Sequence, residues 1–522
     1  MASTTGKTAV TLPLVRGRPD QKLTVFQALS FVARFLPQVL VVLPTKIFFS
    51  HVLFRWRSKL VQRIGRPAVT SYMAQLVQFL LDQFHAAQVR IILDRKNSYK
   101  IKHQGRPYKG YSHWVSYVEA NGTAGRWIAK PGTERKKDDV VLYFVHGGGF
   151  LVDSGANSQE LWLKLVRKLP EQQNLQLSIF SLDYRLAPEY KYPSQLVEVL
   201  AGYHYLVNDV GISPDRIVIS GDSAGGNLVT AFLLHLARPA KEISVPKELG
   251  PTPSRPGGAL LISPFVNLAS RARSMTENEQ YDYISQGACF RAAFDYLGIE
   301  PPRSSVFSNV FTWEHKQPPT VGEELHRLPK WKDIKGVDLF RNPYVNPIVQ
   351  HSAAWWKEAC PGDGKTVVNW GGAEIFADDD AELYKRLEQA GVKPTKLYRQ
   401  FGAHDWLLHD YSIPLNWITK AKGPEADYWY GFNGVVDLLK RVAADAKPHE
   451  GETAVVHTLD HLPDASTDAS SAAASAAAPG DLSFAEVAAS TEGVAQDAPI
   501  VAEGEGEKLG ESGVMVEREA TK

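Results

Sequence analysis

The chain has 522 residues, of which 44% are hydrophobic and 22% charged, a balance that allows a large buried core and excludes a chain disordered throughout. The net charge of +1 conceals a gradient: residues 1–110 carry 18 Lys and Arg against 3 Asp and Glu, residues 448–522 carry 3 against 15, and the middle is nearly neutral. Two cysteines, Cys289 and Cys360, exclude a disulfide framework and read as unpaired core thiols, while a single sequon, Asn121-Gly122-Thr123, does not by itself place the chain in the secretory path.

The basic front end calls for an anionic partner. It lacks the aromatic interleaving of a nucleic-acid module, so no nucleic acid is expected and a membrane surface is. The first twenty residues have no apolar run of the signal-peptide kind. Residues 23–54 are strongly apolar but contain Arg34 and Lys46, and the longest charge-free stretch, Phe35 to Thr45, has 11 residues and two prolines, Pro37 and Pro44. A spanning helix needs about 20 apolar residues. The segment is therefore expected to be a cap helix or a helix lying in a membrane interface. The implied location is intracellular and peripheral to a membrane such as that of the endoplasmic reticulum.

Residues 1–110 as a whole read as helical. Val140 to Val145 (VVLYFV) is a continuous apolar run ending at His-Gly, the pattern of a strand buried on both faces. Further strands are expected at Leu177–Leu182, Arg216–Ser220, Gly258–Ile262, Thr366–Trp370 and Thr395–Arg399, with helices near 158–169, Ser194–Val207, Ala224–Leu236 and Asp379–Ala390. This alternation predicts a mostly parallel sheet. About 100 residues separate the strand ending before Pro264 from the one beginning at Thr366, far more than a βα connection needs, so an insertion at about 265–345 is expected to cover the site. Beyond Pro448 the composition collapses to Ala, Ser, Gly, Asp and Glu, and residues 448–522 are expected to form an acidic disordered tail.

The chemistry concentrates in short motifs. Gly221-Asp222-Ser223-Ala224-Gly225 fits G-x-S-x-G between a predicted strand and a predicted helix. Such a turn exposes the serine hydroxyl at the top of a sheet and aims the Ala224 amide where an oxyanion would form. His146-Gly147-Gly148-Gly149-Phe150 follows the first buried strand, and its glycines let backbone amides approach a ligand. A serine nucleophile needs a base, and the base needs an orienting acid, in the chain order Ser, acid, His. His404 follows the last strand, with His409 as competitor, and the acid must come from Glu374, Asp378, Asp379 or Asp380. The chain has no phosphate-loop pattern, no strand-linked dinucleotide fingerprint and no metal-ligand spacing, so no cofactor and no metal are expected.

HGGGF, then DYRLAPE at 183–189, then GDSAGG at 221–226, resembles the hormone-sensitive-lipase-like branch of the α/β-hydrolases over roughly residues 138–445. The resemblance implies an α/β-hydrolase fold, with a mostly parallel eight-stranded sheet under an N-terminal helical cap. It makes residues 111–447 the catalytic domain. It gives His146 a supporting role in its loop and makes Arg185 and Glu189 buttresses of that loop. It selects Glu374 as the triad acid, where the branch more often has Asp, and leaves Asp378–Asp380 as a charged helix start. Ser223, Glu374 and His404 are then the triad, and Gly147, Gly148 and Ala224 the oxyanion hole. The expected activity is hydrolysis of a small-molecule or lipid ester through an acyl-enzyme, with an apolar alcohol. The general layout is also similar to that of membrane-associated steryl acetyl hydrolases. Two rivals are an amide or formamide hydrolase with the same triad, and a ligand-binding member of the fold that has lost catalysis.

Overall fold

The structure is a computed structural model and describes residues 24–58, 67–90, 114–300, 334–412 and 423–447, except 121, 154, 156–157 and 428. The expected acidic tail, residues 1–23 and the middle of the insertion (301–333) lie outside the described residues.

Eight strands form one sheet in the order β1-β2-β4-β3-β5-β6-β7-β8. They are β1 (Val115–Ala120), β2 (Thr123–Ile128), β3 (Val140–Val145), β4 (Leu177–Leu182), β5 (Ile217–Asp222), β6 (Gly258–Ile262), β7 (Thr366–Gly371) and β8 (Thr395–Arg399). β2 runs antiparallel to both β1 and β4, and every other pairing is parallel. All six sequence-expected strands are present. The hairpin β1–β2 was not expected, because its residues are half exposed and mixed in polarity and carry no apolar run.

Pleating explains why β3 reads as uninterrupted apolar sequence. Val141, Tyr143 and Val145 enter the core on one face of the sheet, and Val140, Leu142 and Phe144 enter the core on the other. The helix Gln159–Gln173 and the C-terminal helix Tyr430–Asp445 supply the second core, while Ser194–His204, Ser223–Ala237 and Ala377–Gln389 supply the first. Both cysteines are buried and unbridged.

The N-terminal segment differs from the sequence expectation in one respect. Arg34, Lys46 and the two prolines do not interrupt it: Val25 to Leu53 is one 29-residue helical run of α and π turns, long and apolar enough to cross a membrane by length and composition. A single charge per few turns is tolerated because Arg34 lies along the helix and donates to Gln83 Oε1 at 2.7 Å. One face of the run lies on the helix Ala68–Gln83 and the turn after it. Gln88 donates to Gln27 O at 3.2 Å, Phe31 packs on Phe84, Tyr72 donates to Val39 O at 3.0 Å, and Ser71 meets His51 Nε2 at 3.0 Å. Leu80, Phe84, Ala86 and Val89 then pack on Leu151 and Val152, just past the HGGGF loop.

Candidate active site

β5 passes into the helix Ser223–Ala237 with no intervening loop, and Ser223 itself takes the left-handed backbone, φ +50°. The turn closes only because its flanks lack side chains. A Cβ on Gly221 would lie 2.5 Å from the Gly225 backbone, and one on Gly225 would lie 2.1 Å from Val145 O. Ser223 is thereby held at the first turn of a 15-residue helix, where the backbone dipole favours developing negative charge.

The HGGGF loop lies alongside. Tyr184 Oη donates to His146 O at 2.8 Å and to Gly147 O at 3.1 Å, and the His146 ring stacks on Tyr184 with centroids 4.1 Å apart. His146 is thus a buried support, as the resemblance implied. Gly147 does not fit the oxyanion role expected of it. Its N–H donates to Asp222 Oδ1 at 2.9 Å, and a bonded amide is not free to meet an oxyanion. Gly148 and Gly149 both take positive φ, +85° and +62°, which turns the following backbone and leaves their amides as the loop's candidates. Glu189 acts on the loop at one remove: it pairs with Arg90, whose guanidinium also donates to Leu151 O and Ala187 O. Arg185 instead pairs with Glu198.

The expected acid and base, Glu374 and His404, lie in the turns after β7 and β8. Gly371 and Gly402 sit so close that a Cβ on Gly371 would lie 2.1 Å from Gly402 O, which brings the two turns together. Glu374 is fully buried, and its Oε2 lies 3.6 Å from His404 Nδ1. Ser263, just past β6, joins them. Its hydroxyl donates to Glu374 Oε2 at 2.7 Å and accepts from the Asp405 amide at 3.1 Å. Asp282 stitches the same turns from the other side, accepting from Ile375 N at 2.8 Å and from His404 N at 3.3 Å. His404 Nε2 lies 3.2 Å from Asp405 Oδ2, and among the hydrogen bonds of the described residues none joins His404 to Ser223. His409, the competing base, instead meets Tyr283 Oη at 3.0 Å.

Asp378 to Asp380 are more than a charged helix start. Asp378 accepts from Ser274 N and Asp379 from Asn267, each at 2.8 Å, while Asp380 is wholly buried beside Glu374. The apolar packing of the helix Ala377–Gln389 turns Asp379 and Asp380 inward and leaves Asp378 exposed, which a linear reading could not show.

Burial dominates the electrostatics. It pushes Glu374 up to about 8, with Asp282 adding to the rise and the Asp380 and Ser263 hydrogen bonds opposing it. Asp222 is likewise raised to about 8 by burial and Asp153. Burial and like-charged neighbours hold Asp380 and Asp405 well above the ordinary carboxyl range. His404 is held well below its ordinary value, first by burial and then by His409, so it stays neutral and able to accept a proton.

A family described as alpha/beta hydrolase fold matches residues 141–330. An esterase of Mycobacterium tuberculosis, LipU, is 31% identical over 304 residues, covering 58% of this chain and 78% of that one. The chain belongs to the α/β-hydrolase fold family. Arylacetamide deacetylase of Rattus norvegicus is 26% identical, covering 53% of this chain and 73% of its own length. Hormone-sensitive lipase of Bos taurus is 32% identical over 158 residues, 30% of this chain and 19% of that one. A solved esterase of the bacterial hormone-sensitive lipase family covers 74% of this chain and 99% of its own at 21% identity, with a TM-score of 0.48. This α/β-hydrolase is an enzyme of the esterase and lipase type.

Sequence reasoning missed four residues of the hydrolase's site. Tyr184 was visible within DYRLAPE but unassigned. Ser263, Asp282 and Asp405 had no motif to mark them, because their roles come from the meeting of turns distant in the chain.

Proposed function

We propose that this hydrolase cleaves carboxylic esters of apolar alcohols through an acyl-enzyme on Ser223, with His404 as base, Glu374 as its orienting acid, and the amides of Gly148, Gly149 and Ala224 as oxyanion donors. The observation that carries the reading is the convergence of the Ser223 elbow, Glu374 and His404 at the C-terminal ends of β5, β7 and β8, with Ser263 bridging the last two turns. His404 takes the Ser223 proton as Oγ attacks the ester carbonyl. Glu374 faces Nδ1, keeps the proton there and stabilises the imidazolium. The oxyanion is met by amides at the start of the helix Ser223–Ala237, where no reorganisation is needed. His404 then returns its proton to the leaving alcohol and activates water to release the acid. In the resting enzyme the Ser–His contact is open, and such contacts commonly tighten only when substrate binds.

The test is turnover of a panel of p-nitrophenyl acyl esters, aryl formamides and steryl acetates by the parent enzyme and Ser223→Ala. Ester turnover reduced by about 10³ or more in the variant is expected. Comparable rates in both would overturn the serine mechanism. The match to an arylacetamide deacetylase supports amide cleavage as the second reading. Preference for the formamides over every ester would select it.

The helical run Val25–Leu53 supports a membrane-surface location. Its outer face exposes Val25, Phe26, Leu29, Leu40, Val41 and Val52, while its inner face is occupied by the cap. The run meets the rest of the protein along one side, at Gln27, Phe31, Arg34, Val39 and His51, and is otherwise largely exposed, an arrangement suited to lying in an interface. Arg55 and Lys59 near its end favour anionic headgroups. Flotation with anionic vesicles that weakens with salt but persists, and is lost on deleting residues 1–60, is expected. Resistance to both high salt and alkaline carbonate would mean that the helix spans.

A further inference from the structure

The base is flanked by two acids, and the mechanism uses only one. On the Nδ1 side stands Glu374, at 3.6 Å. On the Nε2 side, where the serine proton must arrive, stands Asp405 Oδ2 at 3.2 Å. Asp405 is 5% exposed, and its backbone takes a left-handed φ of +53°, a conformation that turns its side chain back beside the preceding residue's ring. A chain of contacts stands behind it. Tyr283 Oη donates to Asp405 Oδ2 at 3.1 Å, and His409 Nε2 lies 3.0 Å from the same Tyr283 oxygen. The Tyr283 ring also packs against both imidazoles, with centroids 5.6 Å from His404 and 5.2 Å from His409. Asp405 is further held by its own amide, which donates to Ser263.

We propose that Asp405 is a positioning residue that holds Nε2 of the base in the resting hydrolase, backed by Tyr283 and His409, and that the imidazole leaves it for Ser223 when ester binds. The proposal rests on the reading of His404 as the base.

The chemistry of the contact leaves Nε2 engaged in either protonation state. If Asp405 is protonated, its hydroxyl donates to a bare Nε2. If it is ionised, the proton sits on Nε2 and the ring is held between two carboxyl groups. Neither state offers a free lone pair to Ser223, which accounts for the absence of a Ser223–His404 hydrogen bond. The groups facing this pair are Glu374 from the turn after β7, Asp380 from the helix Ala377–Gln389, Asp282 and Tyr283 from the loop after residue 277, Asp222 from the end of β5, and His409 from the helix Trp406–Ser412. Burial first, and then the neighbouring acids, hold Asp405 well above the ordinary carboxyl range, so the form that donates to a bare Nε2 prevails. That donor favours the neutral ring and lowers the pH at which activity is lost.

The experiment measures kcat/KM for p-nitrophenyl butyrate against pH for the full-length parent, Asp405→Asn, Asp405→Ala and Tyr283→Phe. Without the donor, the midpoint of the acid limb is expected to rise by about one pH unit in Asp405→Ala, and by less in Asp405→Asn, whose amide can still donate. At the parental midpoint, activity relative to plateau then falls about five-fold in Asp405→Ala. Tyr283→Phe should shift the midpoint in the same direction by less, because its hydroxyl holds the Asp405 carboxyl beside the ring. A purely structural role would lower the plateau and leave the midpoint in place. Midpoints within about 0.2 of the parent in all three variants would overturn the proposal. If the Asp405 variants do not fold, Tyr283→Phe carries the same test. Retained turnover in His404→Ala would instead reject the assignment of the base, so the two failures are distinguishable.

Discussion

Ser263→Ala removes one oxygen that serves two turns. Its hydroxyl is the donor to Glu374 Oε2 at 2.7 Å and the acceptor for the Asp405 amide at 3.1 Å. Burial raises Glu374 to about 8, so both bonds join neutral groups, worth about 1 kcal/mol each, with about 1–3 kcal/mol more for a buried group left unsatisfied. Both partners are buried and no water can replace the hydroxyl without room for it, so the fold should lose roughly 3–5 kcal/mol. Catalysis should suffer separately. With the Ser263 bond gone, Glu374 is no longer held against Nδ1, and the base is aligned less of the time. A fall in kcat/KM of about 10- to 100-fold follows if the orientation term is about 1.4–2.8 kcal/mol, with KM nearly unchanged because Ser263 touches no substrate. Glu374→Gln, which removes the carboxyl that can ionise opposite the imidazolium, should cost more, about 10³-fold or beyond. Urea unfolding and ester turnover on the same preparations would measure both effects. Ser263→Ala with kcat/KM within about two-fold of the parent would refute the view that this hydroxyl aligns the triad.

His404→Ala should lower turnover about as far as Ser223→Ala, whereas His409→Ala should cost less than about ten-fold; the reverse order would move the base to His409. Gly147→Ala would place a Cβ 2.3 Å from Asp222 Oδ2, so it should displace the HGGGF loop and lower kcat more than KM; parental kinetics would show that the loop tolerates the shift. Because burial holds His404 well below the ordinary histidine value, the neutral base survives to lower pH, and the acid limb of kcat/KM should lie below about 6.5. An acid limb above about 7 would mean that the flanking carboxylates outweigh burial.

The strands β3 to β8 and the elbow at Ser223 were legible because each is encoded locally. A strand buried on both faces must be apolar at every position, and a strand-to-helix turn around a serine must have glycine on either side. Glu374 and His404 were nameable because the order of elements leaves few candidates after the last two parallel strands, and the family resemblance chose among them. The half-exposed hairpin β1–β2 left no such trace. The prolines and charges at residues 34–46 argued against a spanning helix, yet the run is helical through them, with Arg34 paired to Gln83 and one side on the helix Ala68–Gln83.

What the sequence determined by itself was therefore the parallel part of the sheet, the strand-to-helix turn at Ser223 and the candidates for acid and base beside it. Which glycine amides are free, that Asp379 and Asp380 face inward, and that Ser263, Asp282 and Asp405 surround the base were decided only by tertiary structure. The physical reason is that a strand or a tight turn satisfies its requirements within a few residues. The buried carboxyls and hydroxyl around this base satisfy theirs with partners that lie 93 to 142 residues away in the chain, the longest being Ser263 with Asp405.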